Sequence, residues 1–185
     1  IKEPLSCVVR GQRIANFQPG QSVLVMGSGI AGLLHIQLAR ARGAGRIVAT
    51  DIVGYRLKAA LQFGADVVFD AGEADTSARL RPSQEGLRQV NDGRLADRVV
   101  VCAAALSALS QALELVERGG TVLLFAPYAP DVTFPLSLHP FWRDGITLAT
   151  SYAGSPADCA VALELIRSRR VPVREMITHR LSLAE

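Results

Sequence analysis

Six short runs of β-branched and aliphatic residues recur along the chain: 23–26 (Val-Leu-Val-Met), 47–50, 67–69, 99–101, 122–125 and 146–148. Longer segments with helical spacing separate most of them. The runs do not alternate apolar with polar, so each predicted strand needs cover on both faces. A parallel sheet between two layers of helices provides that cover, whereas a sheet wet on one side does not. The βα alternation predicts an α/β domain with a doubly wound parallel sheet, about six strands and helices on both faces.

Turn chemistry agrees with this order. Pro19-Gly20 precedes the first strand, Gly43 closes the next helix, Gly64 closes another, and Gly119-Gly120 follows a helix expected over 105–118. Ser155 is placed as an N-cap, with Pro156 in the first turn and Asp158 adding an acidic group there. Leu5, Val8, Val9 and Ile14 predict an amphipathic helix over about 3–16. The polar stretch 72–93 is expected to be a loop followed by a helix at 84–90, and 127–145 an irregular connection.

Composition bounds the function classes. With 185 residues, 49% of them hydrophobic and 20% charged, the chain can build one packed domain. No apolar run approaches the roughly 18 residues of a membrane span, and no leader pattern is present, so no membrane partner is expected. The start at Ile1, without Met, suggests a segment of a longer protein. The net charge is +3, and the arginines are scattered apart from Arg167, Arg169 and Arg170, which suit a helix C-terminus. No aromatic residues interleave with them to stack bases, so no nucleic-acid partner is expected. Cys7, Cys102 and Cys159 are odd in number, far apart and form no C-x-x-C pair, which indicates neither a disulfide framework nor a structural zinc and suits a reducing, cytoplasmic setting. Cys102 reads as a small core residue.

The chemistry concentrates in Gly27-Ser28-Gly29-Ile30-Ala31-Gly32, directly after the first strand and opening a helix. That context turns a weak G-x-G-x-x-G pattern into a dinucleotide-binding turn of the Rossmann fold. Gly27 permits the tight turn, Gly29 lets backbone approach a pyrophosphate, and Gly32 lets helix lie on sheet. The first helical residues, Ile30 and Ala31, present free N–H groups to the phosphates. Asp51 ends the second strand nineteen residues after Gly32, the usual spacing for a carboxylate that binds the adenosine ribose and repels a 2′-phosphate, which favours NAD over NADP. Arg56 stands just beyond and could pair with a phosphate, but with Asp51 present it is expected to touch a ribose oxygen or lie over the adenine. His35, on the same helix, reads as a packing or surface residue. Loops at the carboxyl ends of later strands place Cys102, Ala103, Ala126, Pro127, Ser151 and Tyr152 toward the cofactor.

Glu3-Pro4-Leu5-Ser6-Cys7, Pro19-Gly20, the glycine turn, Ala49-Thr50-Asp51, Phe63-Gly64-Ala65-Asp66 and Arg118-Gly119-Gly120-Thr121-Val122 together resemble the zinc-dependent medium-chain dehydrogenases, most closely the polyol and threonine dehydrogenase branch. The resemblance runs over nearly the whole chain. It implies that residues 1–185 are the NAD(P)-binding domain of an alcohol or polyol dehydrogenase, whose catalytic domain and zinc ligands lie outside this sequence. It implies backbone contacts from the loops at Ala126-Pro127 and Ser151-Tyr152 to the nicotinamide. It puts Glu3 near the catalytic zinc, with Cys7 a weaker candidate, while the residues alone allow Glu3 to be a simple helix N-terminal charge. It also implies a homo-oligomer joined through the edge strand near 146–151. The chain alone is expected to bind NAD(H) and turn over no alcohol. Two other classes fit parts of the pattern: an S-adenosylmethionine methyltransferase, although Val25 replaces the acidic residue expected before its turn, and a non-enzymatic NAD-sensing module.

Overall fold

A computed structural model of the chain describes residues 1–72 and 82–182. The strands are β1 (Val23–Met26), β2 (Ile47–Asp51), β3 (Val67–Asp70), β4 (Ala96–Val101), β5 (Val116–Leu124) and β6 (Thr147–Thr150). They form one all-parallel sheet in the order β3-β2-β1-β4-β5-β6. The helices are α1 (Lys2–Ile14), α2 (Ile30–Ala41), α3 (Gly54–Gln62), α4 (Gln84–Val90), α5 (Leu106–Leu115), α6 (Leu138–Asp144) and α7 (Pro156–Arg167), followed by a 3₁₀ turn at Val173–Met176. The doubly wound fold is therefore as expected.

The two faces of β1 explain its unbroken apolar run. Leu24 and Met26 pack with Val99 and Val101 of β4 under Leu109, Ala112 and Leu115 of α5 and Leu87 of α4. Val23 and Val25 point the other way, with Ile47, Ala49 and Val100, under Ile36 and Ala39 of α2 and Ala60 of α3. A further layer forms where α1 and α7 lie over α2, with Leu5, Val8, Leu34, Leu38 and Ala162 all at 0% exposure. The capping box at Ser155 closes as expected: the Ser155 hydroxyl accepts the Asp158 N–H, and the Asp158 carboxylate accepts the Ser155 N–H.

Three boundaries differ from expectation. The helix expected to reach Arg118 ends at Leu115, and Val116 already has extended angles that start β5. The Glu117–Gly120 stretch bulges out of the β4–β5 register, with Gly119 at φ +70°. The cause is tertiary: the Glu117 carboxylate accepts the Leu95 N–H at the foot of β4. β6 spans Thr147–Thr150, displaced toward the C-terminus relative to the apolar run. The irregular connection contains α6, closed by Gly145 in the left-handed region, and none of its residues is buried. Part of the loop expected at 72–93 (73–81) lies outside the described residues, and the helix expected at 84–90 matches α4.

Candidate cofactor site

The strand order reverses between β1 and β4, and the loops leaving their carboxyl ends diverge there to leave a crevice. A cavity of about 400 Å³ occupies it. Gly27 and Gly29 form one wall, Asp51, Ile52 and Arg56 another, and Cys102 and Ala103 a third. The start of α5 closes the remaining side with Ala105, Ser107, Ala108 and Gln111.

The three motif glycines have three different reasons. Gly27 has φ +96°, and a Cβ there would meet the Cys102 and Ala103 backbone at 3.2 Å, so it permits both the turn and the close approach of the β4 loop. A Cβ on Gly32 would lie 1.9 Å from the Gly27 carbonyl oxygen and 3.3 Å from Val25, which locks α2 onto the turn. Gly29 has φ −72°, open to any residue, and a Cβ there would meet nothing within 4 Å. Neither backbone geometry nor packing within the chain requires glycine at this position. The first turn of α2 carries no side-chain cap and no acidic residue, leaving the N–H groups of Ile30, Ala31 and Gly32 directed outward.

Asp51 is 6% exposed and ties the crevice together. Its Oδ2 accepts the Ser28 N–H at 2.8 Å, and its Oδ1 accepts the Val53 N–H at 2.9 Å. One carboxylate thus fixes the glycine turn and the entry to α3 from a position on the cavity wall. The Arg56 Nη1 is 3.8 Å from Asp51 Oδ2, and its guanidinium lies 5.8 Å from the Tyr55 ring centre. The Tyr55 hydroxyl and Asp51 raise the Arg56 pKa further, so it stays cationic. Burial pushes the Cys102 thiol up to about 12, which keeps it protonated at neutral pH.

Other predicted residues fall elsewhere. Ile30 is 53% exposed and, with Ala31 and Gly32, forms the first turn of α2 beside the cavity. Ala126, Pro127 and Ser151 follow β5 and β6 at the same edge of the sheet, beyond β4 and outside the cavity lining. Glu3 is exposed on α1, and its carboxylate accepts the Cys7 thiol at 3.2 Å. Among the described residues no three His, Cys, Asp or Glu side chains gather as a metal site. His35 is a packing residue: fully buried, edge-on to Phe125 with centroids 4.5 Å apart, and held by burial at a pKa of about 3. The α5 wall was missed because Ala105, Ser107 and Ala108 are ordinary helix-start residues with no distinguishing spacing. All three thiols are free, and no described helix is long and apolar enough to cross a membrane.

The chain is 30% identical over 178 residues to D-xylulose reductase A of Aspergillus oryzae, covering 96% of this chain and 48% of that protein. It is 28% identical over 186 residues to sorbitol dehydrogenase of Halalkalibacterium halodurans, covering 99% and 51%. The solved alcohol dehydrogenase of Thermus sp. ATN1 superimposes with a TM-score of 0.83 at 28% identity, over 97% of this chain and 49% of that one. The chain spans about half the length of the curated relatives it matches. These likenesses carry no support for the methyltransferase alternative, and because residues 31–168 match the family described as zinc-binding dehydrogenase, the chain belongs to that family.

Proposed function

We propose that this chain binds a nicotinamide dinucleotide, NAD in preference to NADP, and orients it for hydride exchange with an alcohol or polyol in a dehydrogenase of which it forms the nucleotide domain. Gly29 carries the proposal: glycine at a position where the chain itself would accommodate a side chain leaves room for a group from outside, directly before uncapped helical N–H groups. A diphosphate suits that place by charge and by size. Asp51, on the wall of the same cavity, would accept from the adenosine ribose hydroxyls, and its charge opposes a 2′-phosphate. Arg56, facing Asp51, would border the adenine end. Cys102 and Ala103 would floor the cavity, and the loops at Ala126-Pro127 and Ser151 would flank the nicotinamide.

Bound NAD supplies the hydride acceptor; the chain's own part is to bind and orient it. We propose Glu3 as the one donor this chain would bring to a zinc otherwise held by residues outside it. The likeness to a D-xylulose reductase and a sorbitol dehydrogenase supports a polyol or other small alcohol as substrate. An edge-to-edge dimer through β6, the last strand of the sheet, is the assembly proposed with this function.

The test is a titration with NADH and with NADPH, following nicotinamide fluorescence, on the wild type and on Gly29→Ala. Saturable NADH binding that is tighter than NADPH binding, and lost in a normally folded Gly29→Ala, is the expected result. Unchanged affinity in that variant would remove the diphosphate from the turn.

A further inference from the structure

A second concavity, of about 630 Å³, lies where α7 ends and the chain turns into the 3₁₀ segment. It shares no residue with the cofactor cavity. Its lining divides into two kinds of residue. Ile166, Val171, Pro172 and Val173 give an apolar floor, and Val171 and Val173 are themselves buried against the α1–α2–α7 core. Arg167, Arg169 and Arg174 give a cationic rim, with Glu175 the single carboxylate in the lining.

The three guanidinium groups are exposed, and among the described residues none has a hydrogen-bonded or ion-paired partner. By contrast, Arg13, Arg40, Arg94 and Arg118 each face an aspartate. Arg169 holds φ +56°, an uncommon angle for a side-chain-bearing residue, in the turn that carries the chain from α7 to Val171. Cations at a helix C-terminus offset a dipole equivalent to about half a charge. Three arginines exceed that need, and Glu175 removes at most one of them.

We propose that this concavity is a binding site for a small organic phosphate, whose phosphoryl group the arginine rim would hold and whose apolar body the floor would cover. Guanidinium groups match phosphate oxygens in paired hydrogen bonds, and the volume falls in the range of small-ligand sites. An inorganic anion would use only the rim.

Phenyl phosphate is the probe, titrated by calorimetry into the protein in 150 mM NaCl alongside inorganic phosphate. Saturable binding of phenyl phosphate, tighter than that of inorganic phosphate, is expected. The Arg167→Gln/Arg174→Gln variant should weaken it about tenfold or more, the order expected for losing charge-assisted contacts. Arg46→Gln, elsewhere on the surface, should leave it unchanged. The substituted arginines are exposed, and a thermal melt confirms that the variants fold. Absence of saturable binding, equal affinity for the two anions, or an undiminished affinity in the double variant would overturn the proposal. Binding that instead responds to Gly29→Ala would place the phosphate at the glycine turn and also overturn it, without touching the cofactor proposal.

Discussion

The Asp51 carboxylate accepts the backbone N–H of Ser28 at 2.8 Å, across 23 residues of sequence. The bond fastens the end of β2 to the glycine turn that follows β1, so the residue proposed to select the cofactor also shapes the turn proposed to hold its diphosphate. Substitutions at Asp51 therefore act on shape and on charge together, and selectivity is the readout that separates them. Asp51→Asn sets an amide nitrogen against either the Ser28 or the Val53 N–H, which costs about 1–2 kcal/mol of stability and weakens both nucleotides. The ratio of NADH to NADPH affinity should fall about tenfold, because only the charge opposes the 2′-phosphate. An unchanged ratio in paired fluorescence titrations would remove Asp51 as the selector.

Gly29 and Gly32 should separate binding from folding. Alanine fits the backbone of Gly29 and meets nothing there, and its gain from a less flexible unfolded chain is offset by its poorer fit at the N-cap of α2, so Gly29→Ala should change stability by no more than about 0.5 kcal/mol. NADH affinity should nevertheless fall at least tenfold, about 1.4 kcal/mol. Gly32→Ala drives a methyl group into the Gly27 carbonyl and should cost about 3 kcal/mol or more. Urea titration and NADH binding on both variants check the contrast.

His35 makes stability fall in acid. Burial lowers its pKa from 6.5 to about 3, with the Arg42 charge adding to the effect. Above about pH 6.5 the imidazole is neutral in both the folded and the unfolded state, and it contributes no slope. Between 6.5 and 3 the unfolded chain takes up a proton that the folded chain does not, so stability falls with pH by about 1.4 kcal/mol per unit from this group. His35→Leu should show a shallower decline over pH 6.5–4.5 in urea titrations. Parallel slopes would mean that the imidazole is protonated in the folded protein.

Asp158 holds α1 against α7. Its carboxylate accepts the Ser155 N–H and hydroxyl, and Arg13 reaches both of its oxygens, at 3.1 and 3.2 Å. These bonds hold the Asp158 pKa below the usual carboxylate range. Asp158→Ala removes a helix cap and the partner of Arg13 together and should cost about 2–3 kcal/mol. Arg13→Ala, whose side chain is 57% exposed, should cost about 1 kcal/mol or less. Chemical denaturation of the two variants measures the difference.

The sequence by itself determined the layer architecture and the chemical centre of the site. Apolar runs without alternation demanded a sheet covered on both sides, and Gly27, Gly29, Gly32 and Asp51 carry their spacing in the chain. Each strand, turn and helix start is set by residues within a few positions of one another, and Asp51 is placed by its position at the end of the second such strand. Tertiary structure decided what depends on distant partners. It ended α5 at Leu115, where the Glu117 carboxylate reaches the Leu95 N–H just before the neighbouring strand β4. It added the α5 wall to the cavity, because the reversal of strand order between β1 and β4 brings Ala105 and Gln111 opposite Asp51. It buried His35 against Phe125, a pairing across 90 positions that no helical periodicity encodes. It also gathered Arg167, Arg169 and Arg174 around one concavity, since only the turn at Arg169 folds the segment after α7 back beside the helix end.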